Sequence, residues 1–119
     1  MSQLDQLSAL IASAGLIDFR PTSPSYRCDD NKAQLVPVSE IQGPPARTLI
    51  VQERANAVLA GISQDTPLPA VEVDEPPAQS LGGRRYRLRD GFHRYHLSCA
   101  LGFSHIPVAV KPHLDLNDL

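Results

Sequence analysis

The run Arg89-Asp90-Gly91-Phe92-His93-Arg94 collects side chains suited to holding an anion, at a point where the sequence pattern changes from strand to helix. Residues 85 to 89 alternate, with Tyr86 and Leu88 on one face and Arg85, Arg87 and Arg89 on the other, the period of a half-buried strand. From Phe92 to Leu101 the apolar residues recur at helical spacing, and Gly102 stands where a left-handed cap is wanted. A helix beginning at Asp90-Gly91-Phe92 aims unpaired backbone amides, and the positive end of its dipole, back at the carboxyl edge of the strand. Such a turn is suited to a phosphate. Gly91 permits a positive φ and a close approach to the backbone, while His93 and Arg94 add side-chain donors. An arginine in the first helical turn opposes the dipole by about 0.3 to 1 kcal/mol unless an anion sits nearby. The plainer alternative makes Asp90 an N-cap and leaves Arg94 solvated.

The elements around this turn are also legible as patterns. Ile106 to Val110 reads as a largely buried strand, so residues 84 to 110 predict a strand, turn, helix and strand joined by a right-handed crossover. Leu35-Val36-Pro37-Val38 fits a strand only at an edge or an early position, because Pro37 has no N–H for a ladder. Ala55, Val58, Leu59 and Ile62 form the stripe of a helix over Glu53 to Ile62; Val71 and Val73 have strand spacing, and Asp74 to Gly83 reads as a long loop. Near the amino terminus, Leu4, Leu7, Leu10 and Ile11 predict an amphipathic helix over Ser2 to Ala14 that Gly15 ends. An isolated helix this short is marginal in water, so its stripe must pack on the domain or on a second copy, a route to a homodimer. The expected fold is α/β in the α+β sense, a small mixed sheet with packed helices. Residues 1–32 are expected to be the N-terminal helix and connecting loop, and 33–119 the domain proper.

Asp90-Gly91-Phe92-His93-Arg94, preceded by a strand and followed by a short helix, Leu101-Gly102 and Ile106-Pro107-Val108, resembles the signature of the ParB/sulfiredoxin superfamily. The similarity extends back through Leu35 to Ile41, Glu53 to Ser63 and Leu68 to Val73, covering about residues 34 to 111. That resemblance implies binding of a nucleotide's phosphates at Gly91, His93 and Arg94, with Mg²⁺ and ATP or CTP as expected cofactors. Members include nucleotide-dependent partition proteins, nucleases, a free serine kinase and sulfiredoxins. Sulfiredoxins carry a catalytic cysteine before the His-Arg pair, where this chain has Phe92, so thiolate chemistry of that kind is not expected. Arg47, the first basic residue after the Gly43-Pro44-Pro45 break, is a further candidate for the anion; Asp90 and Glu53, with Glu72, are the carboxylates that could serve catalysis or hold Mg²⁺. Two alternatives remain: a non-catalytic interaction module that keeps the fold, and a ParB-like DNA-associated nuclease. DNA is not favoured, since no helix-turn-helix segment follows in this chain.

Composition narrows the classes further. The 119 residues suit one domain with a modest core, and 42% hydrophobic content favours a globular chain. No apolar run is long enough to span a bilayer and no signal-peptide pattern opens the chain, so no membrane association and a cytoplasmic location are expected. Residues 84 to 111 hold six cations against Asp90 alone, a net +5 in a chain of total charge −2, which predicts a basic face beside the helix start. Cys28 and Cys99 make no metal-type pair; Cys99 is expected as a small buried hydrophobe, and slower than Cys28 to react with thiol reagents. His93, His96 and Cys99 at three-residue steps, with His105 and His113, are a weak metal pattern, and no metal is assigned.

Overall fold

Alternation in the strands and the three-to-four residue stripes in the helices produce the elements expected of them. The computed structural model describes residues 3–43, 50–76 and 84–112. In chain order these form α1 (Gln3–Ser13), β1 (Gln34–Pro37), a single 3-10 turn (Val38–Glu40), β2 (Ile41–Gln42), α2 (Gln52–Ser63), β3 (Val71–Asp74), β4 (Tyr86–Asp90), α3 (Phe92–Leu101) and β5 (His105–Val110). The strands make one mixed sheet in the order β1-β5-β3-β4-β2. Pro37 sits at the end of an edge strand, where its missing N–H costs no ladder bond.

The crossover differs from expectation. β3 lies between β4 and β5, antiparallel to the first and parallel to the second, so the strands flanking α3 run antiparallel to each other. The handedness rule for parallel crossovers therefore does not apply to that unit. α3 instead carries the chain over β3 to its far side.

Two apolar clusters result. Val36, Ile41, Val71, Val73, Tyr86 and Leu88 are buried on the inner face of the sheet, with Phe92 and Tyr95 of α3 packed against them. On the other side of α3, Leu97 and Leu101 meet Val58 and Leu59 of α2 and Leu7 and Leu10 of α1. The α1 stripe is thus buried against its own chain. α3 ends in a Schellman arrangement: Gly102 has φ +93°, and the Phe103 N–H donates to the Ser98 carbonyl over 3.0 Å while the Phe103 ring is buried.

Two sequence readings fail on this scaffold. Leu97, Ser98 and Leu101 are the buried positions of α3, whereas Cys99 and Ala100 are exposed and Cys28 is half-buried. The inward stripe is rotated by one position because a serine, not the cysteine, takes the buried site. The expected order of thiol accessibility is therefore reversed. Nor is β4 a free basic face. Tyr86 and Leu88 are buried as expected, but Arg87 makes a two-pronged contact with the buried Asp74 at 3.2 and 2.8 Å, and Arg89 reaches the same carboxylate at 3.5 Å. Arg85 pairs with Glu75 at 3.4 Å and Lys111 with Glu72 at 3.7 Å. β3 and the residue after it supply the carboxylates that neutralise the strand beside them.

Candidate anion site

The turn between β4 and α3 is built on a left-handed glycine. Gly91 is the N-cap of α3 with φ +95°, in the left-handed region, and no side chain caps the helix. Asp90 belongs to β4 and is exposed, so the N-cap role falls to the glycine. The Tyr95 N–H donates to the Gly91 carbonyl over 2.9 Å, leaving the amides of the first turn without intrahelical partners.

A second helix start converges on the same place. α2 begins after Val51, again without a side-chain cap. The Val51 N–H donates to His93 Nε2 over 2.9 Å, which joins the two helix starts. That bond requires His93 to be neutral with its proton on Nδ1. Burial lowers the His93 pKa, and the Arg54 and Arg94 cations lower it further. His93, expected as a phosphate donor, is here an acceptor that aligns α2 with α3.

Between the two starts lies a cavity of about 460 Å³, lined by Arg54, Ala57 and Val58 of α2, by Leu68 and Pro69, and by residues Asp90 to Arg94. Arg94 is half-buried rather than solvated: its Nη2 donates to the Ala70 carbonyl over 3.4 Å, and its Nε is buried with no partner. A Cβ at Gly91 would stand 2.9 Å from the same Nη2, so the glycine leaves room for the guanidinium under the turn. A larger cavity, about 620 Å³, lies between residues 19–27 and the carboxyl end of α2. Among the described residues no helix start opens into it, and the cation in its lining, Arg27, is exposed and engaged with Asp65, so the smaller cavity is the better candidate for an anion.

The expected site residues thus divide. Gly91, His93, Arg94 and Asp90 line one cavity. Glu53 is exposed in the first turn of α2 and is not among the lining residues; Glu72 faces Asp90 across the sheet and pairs with Lys111. Arg47 and His113 fall outside the described residues. Among the described residues no group of three His, Cys, Asp or Glu side chains is placed to hold a metal ion. Arg54 was missed, although the reasoning applied to Arg94, a cation in a first helical turn, selects it equally.

No family model matches the chain, and comparison with curated proteins also gives no match. Among solved structures it is similar to sulfiredoxin from Arabidopsis thaliana, at TM-score 0.52 and 23% identity over 67% of this chain and 86% of that one. It is also similar to the C-terminally truncated chromosome-partitioning protein ParB from Caulobacter crescentus complexed with CTP-gamma-S, at TM-score 0.54 and 20% identity over 72% of this chain and 47% of that one. The same partition protein complexed to the centromeric parS site matches at TM-score 0.50 and 20% identity, over 71% and 41%. The chain thus spans under half of each partition-protein structure. Together with the mixed sheet and the three α-helices among the described residues, these likenesses define a ParB/sulfiredoxin-like fold.

Proposed function

We propose that the cavity between α2 and α3 binds the phosphates of a nucleotide, and that the chain is a nucleotide-binding protein of ParB/sulfiredoxin-like fold. The observation that carries this reading is the meeting of two uncapped helix starts at one cavity, with Arg54 and Arg94 lining it and left-handed Gly91 opening the backbone between them. Each helix start favours negative charge, and the two arginines supply forked donors for phosphate oxygens. A similar fold was solved with CTP-gamma-S, which makes a nucleoside triphosphate the first ligand class to test. Where Mg²⁺ accompanies the nucleotide, Asp90 is the described lining carboxylate that would hold it, since Mg²⁺ takes one or two carboxylates and is otherwise held by phosphate oxygens and water.

Two arginines and two helix starts suit positioning and charge stabilisation, and the described lining residues include no Cys, Ser, Thr or Lys, so any transfer or hydrolysis here is read as working mainly in that way. The same observation favours, as the second reading, binding without chemistry. Duplex DNA is supported less, because the arginines of β4 are engaged by Asp74 and Glu75. A thermal-shift series with ATP, ADP, CTP, GTP and pyrophosphate, with and without Mg²⁺, tests the proposal. A ligand at about 100 times its dissociation constant stabilises by about 2.7 kcal/mol, a rise of several degrees. No shift with any of them would leave the interaction module as the better reading.

A further inference from the structure

The cavity of about 620 Å³ beside residues 19–27 exceeds the one between α2 and α3, and the phosphate reading leaves it unused. Its volume lies within the range of about 300 to 1,000 Å³ usual for small-molecule sites. Much of its wall is apolar: Phe19 and Phe103 meet there with ring centroids 5.6 Å apart, Ile62 of α2 lines it with them, and Leu35 of β1 stands 50% exposed. A large apolar side chain left half in water is one that a ligand would cover. The charged side chains of the lining are Arg27 and Asp65, paired at 3.8 Å and 61% and 83% exposed. An ion pair this long and this open to solvent adds little to the fold. Yet the backbone is strained to supply it. Asp65 has φ +54°, and the Thr66 N–H donates to the Gly61 carbonyl over 2.8 Å across it, the Schellman turn in which this position favours glycine. A strained residue that adds little to the fold points to a use outside it.

We propose that this cavity binds a free α-amino acid with a large apolar side chain, its carboxylate on Arg27, its ammonium on Asp65 and its side chain against Phe19, Leu35, Ile62 and Phe103. Both charges of such a molecule are attached to one carbon, so they meet the neighbouring Arg27 and Asp65 together and replace a weak contact with two. A lone anion is served less well because Asp65 repels it. Neither charged residue lines the cavity between α2 and α3, so failure here leaves the phosphate reading untouched.

Calorimetric titration of L-leucine and L-phenylalanine into the full chain tests this, beside leucinamide, which lacks the carboxylate, isocaproate, which lacks the ammonium, and glycine, which lacks the side chain. Wild type is expected to bind leucine or phenylalanine saturably, and each analogue at least about threefold more weakly. Arg27→Gln should weaken the amino acid by a similar factor and leave leucinamide unchanged, while Asp65→Gly should weaken it and leave isocaproate unchanged. Asp65→Gly puts at the left-handed position the residue that position favours, so the fold is kept, and circular dichroism confirms this for both variants. Pyrophosphate in excess should not displace the amino acid. No saturable binding of either amino acid, analogues that bind as tightly, or variants that bind as wild type does each overturn the proposal. Displacement by pyrophosphate would put the ligand between α2 and α3 and overturn it too.

Discussion

His93 is the residue on which pH acts. Its Nε2 accepts from the Val51 N–H, and protonation would replace that acceptor with a donor and break the joint between the helix starts. Burial, Arg54 and Arg94 hold its folded pKa below the ordinary histidine value. The unfolded chain therefore binds the proton first as pH falls, and the stability His93 contributes is full above the unfolded pKa and lost as pH drops through the folded one. His96, also lowered by burial and by His93, adds in the same direction. His93→Gln keeps an acceptor without a titrating group, so its unfolding free energy should fall less than that of wild type between about pH 7.5 and pH 5. Urea unfolding at the two pH values checks this. Equal slopes for the two proteins would mean that the Val51 bond is not the pH-sensitive contact. A bound phosphate would raise the His93 pKa again, so nucleotide binding is expected to draw up protons at mildly acid pH.

Among the elements, β3 does more than its four residues suggested. It separates β4 from β5, and Asp74 at its end anchors Arg87 and Arg89. Asp74→Asn should destabilise by about 1 to 3 kcal/mol, because it leaves two arginines short of a charged partner; the cost stays below that of a fully buried pair since both remain partly exposed. Chemical denaturation measures it, and a change under about 0.5 kcal/mol would make the cluster an incidental surface pair. The elements themselves were legible in the sequence: Tyr86 and Leu88 announced the inner face of β4, and Ala55, Val58 and Leu59 the inner face of α2. Sheet order was not, since periodicity reports which face a residue takes and not which strand lies beside it. The carboxylates opposite β4 were hidden for the same reason. On α3 the stripe misled because Ser98, a polar residue, takes the buried position that the pattern gave to Cys99.

At the scale of the whole molecule, α1 closes the helical cluster rather than offering a surface. Leu7 and Leu10 are 5% and 8% exposed against α2 and α3, and Gln6 donates to the Ile50 carbonyl just ahead of α2. Leu10→Ala is expected to cost about 2 to 4 kcal/mol through lost burial and the cavity left behind, and that cost should not vary with protein concentration. A concentration-dependent midpoint would instead point to a helix shared between copies. No described helix is long and apolar enough to cross a membrane. The candidate site follows the same division as the fold: Gly91, His93 and Arg94 were legible because they are neighbours in the chain, whereas Arg54 meets them only through folding. Gly91, Arg94 and Arg54 are proposed to hold phosphate. Calorimetric titration of the best-shifting nucleotide into wild type and Arg94→Ala, with circular dichroism to confirm folding, tests this most directly. A charge-assisted bond to phosphate contributes about 1.5 to 3 kcal/mol, so the variant should bind about tenfold to a hundredfold more weakly. An Arg94→Ala protein that is folded and binds as tightly as wild type would contradict the account.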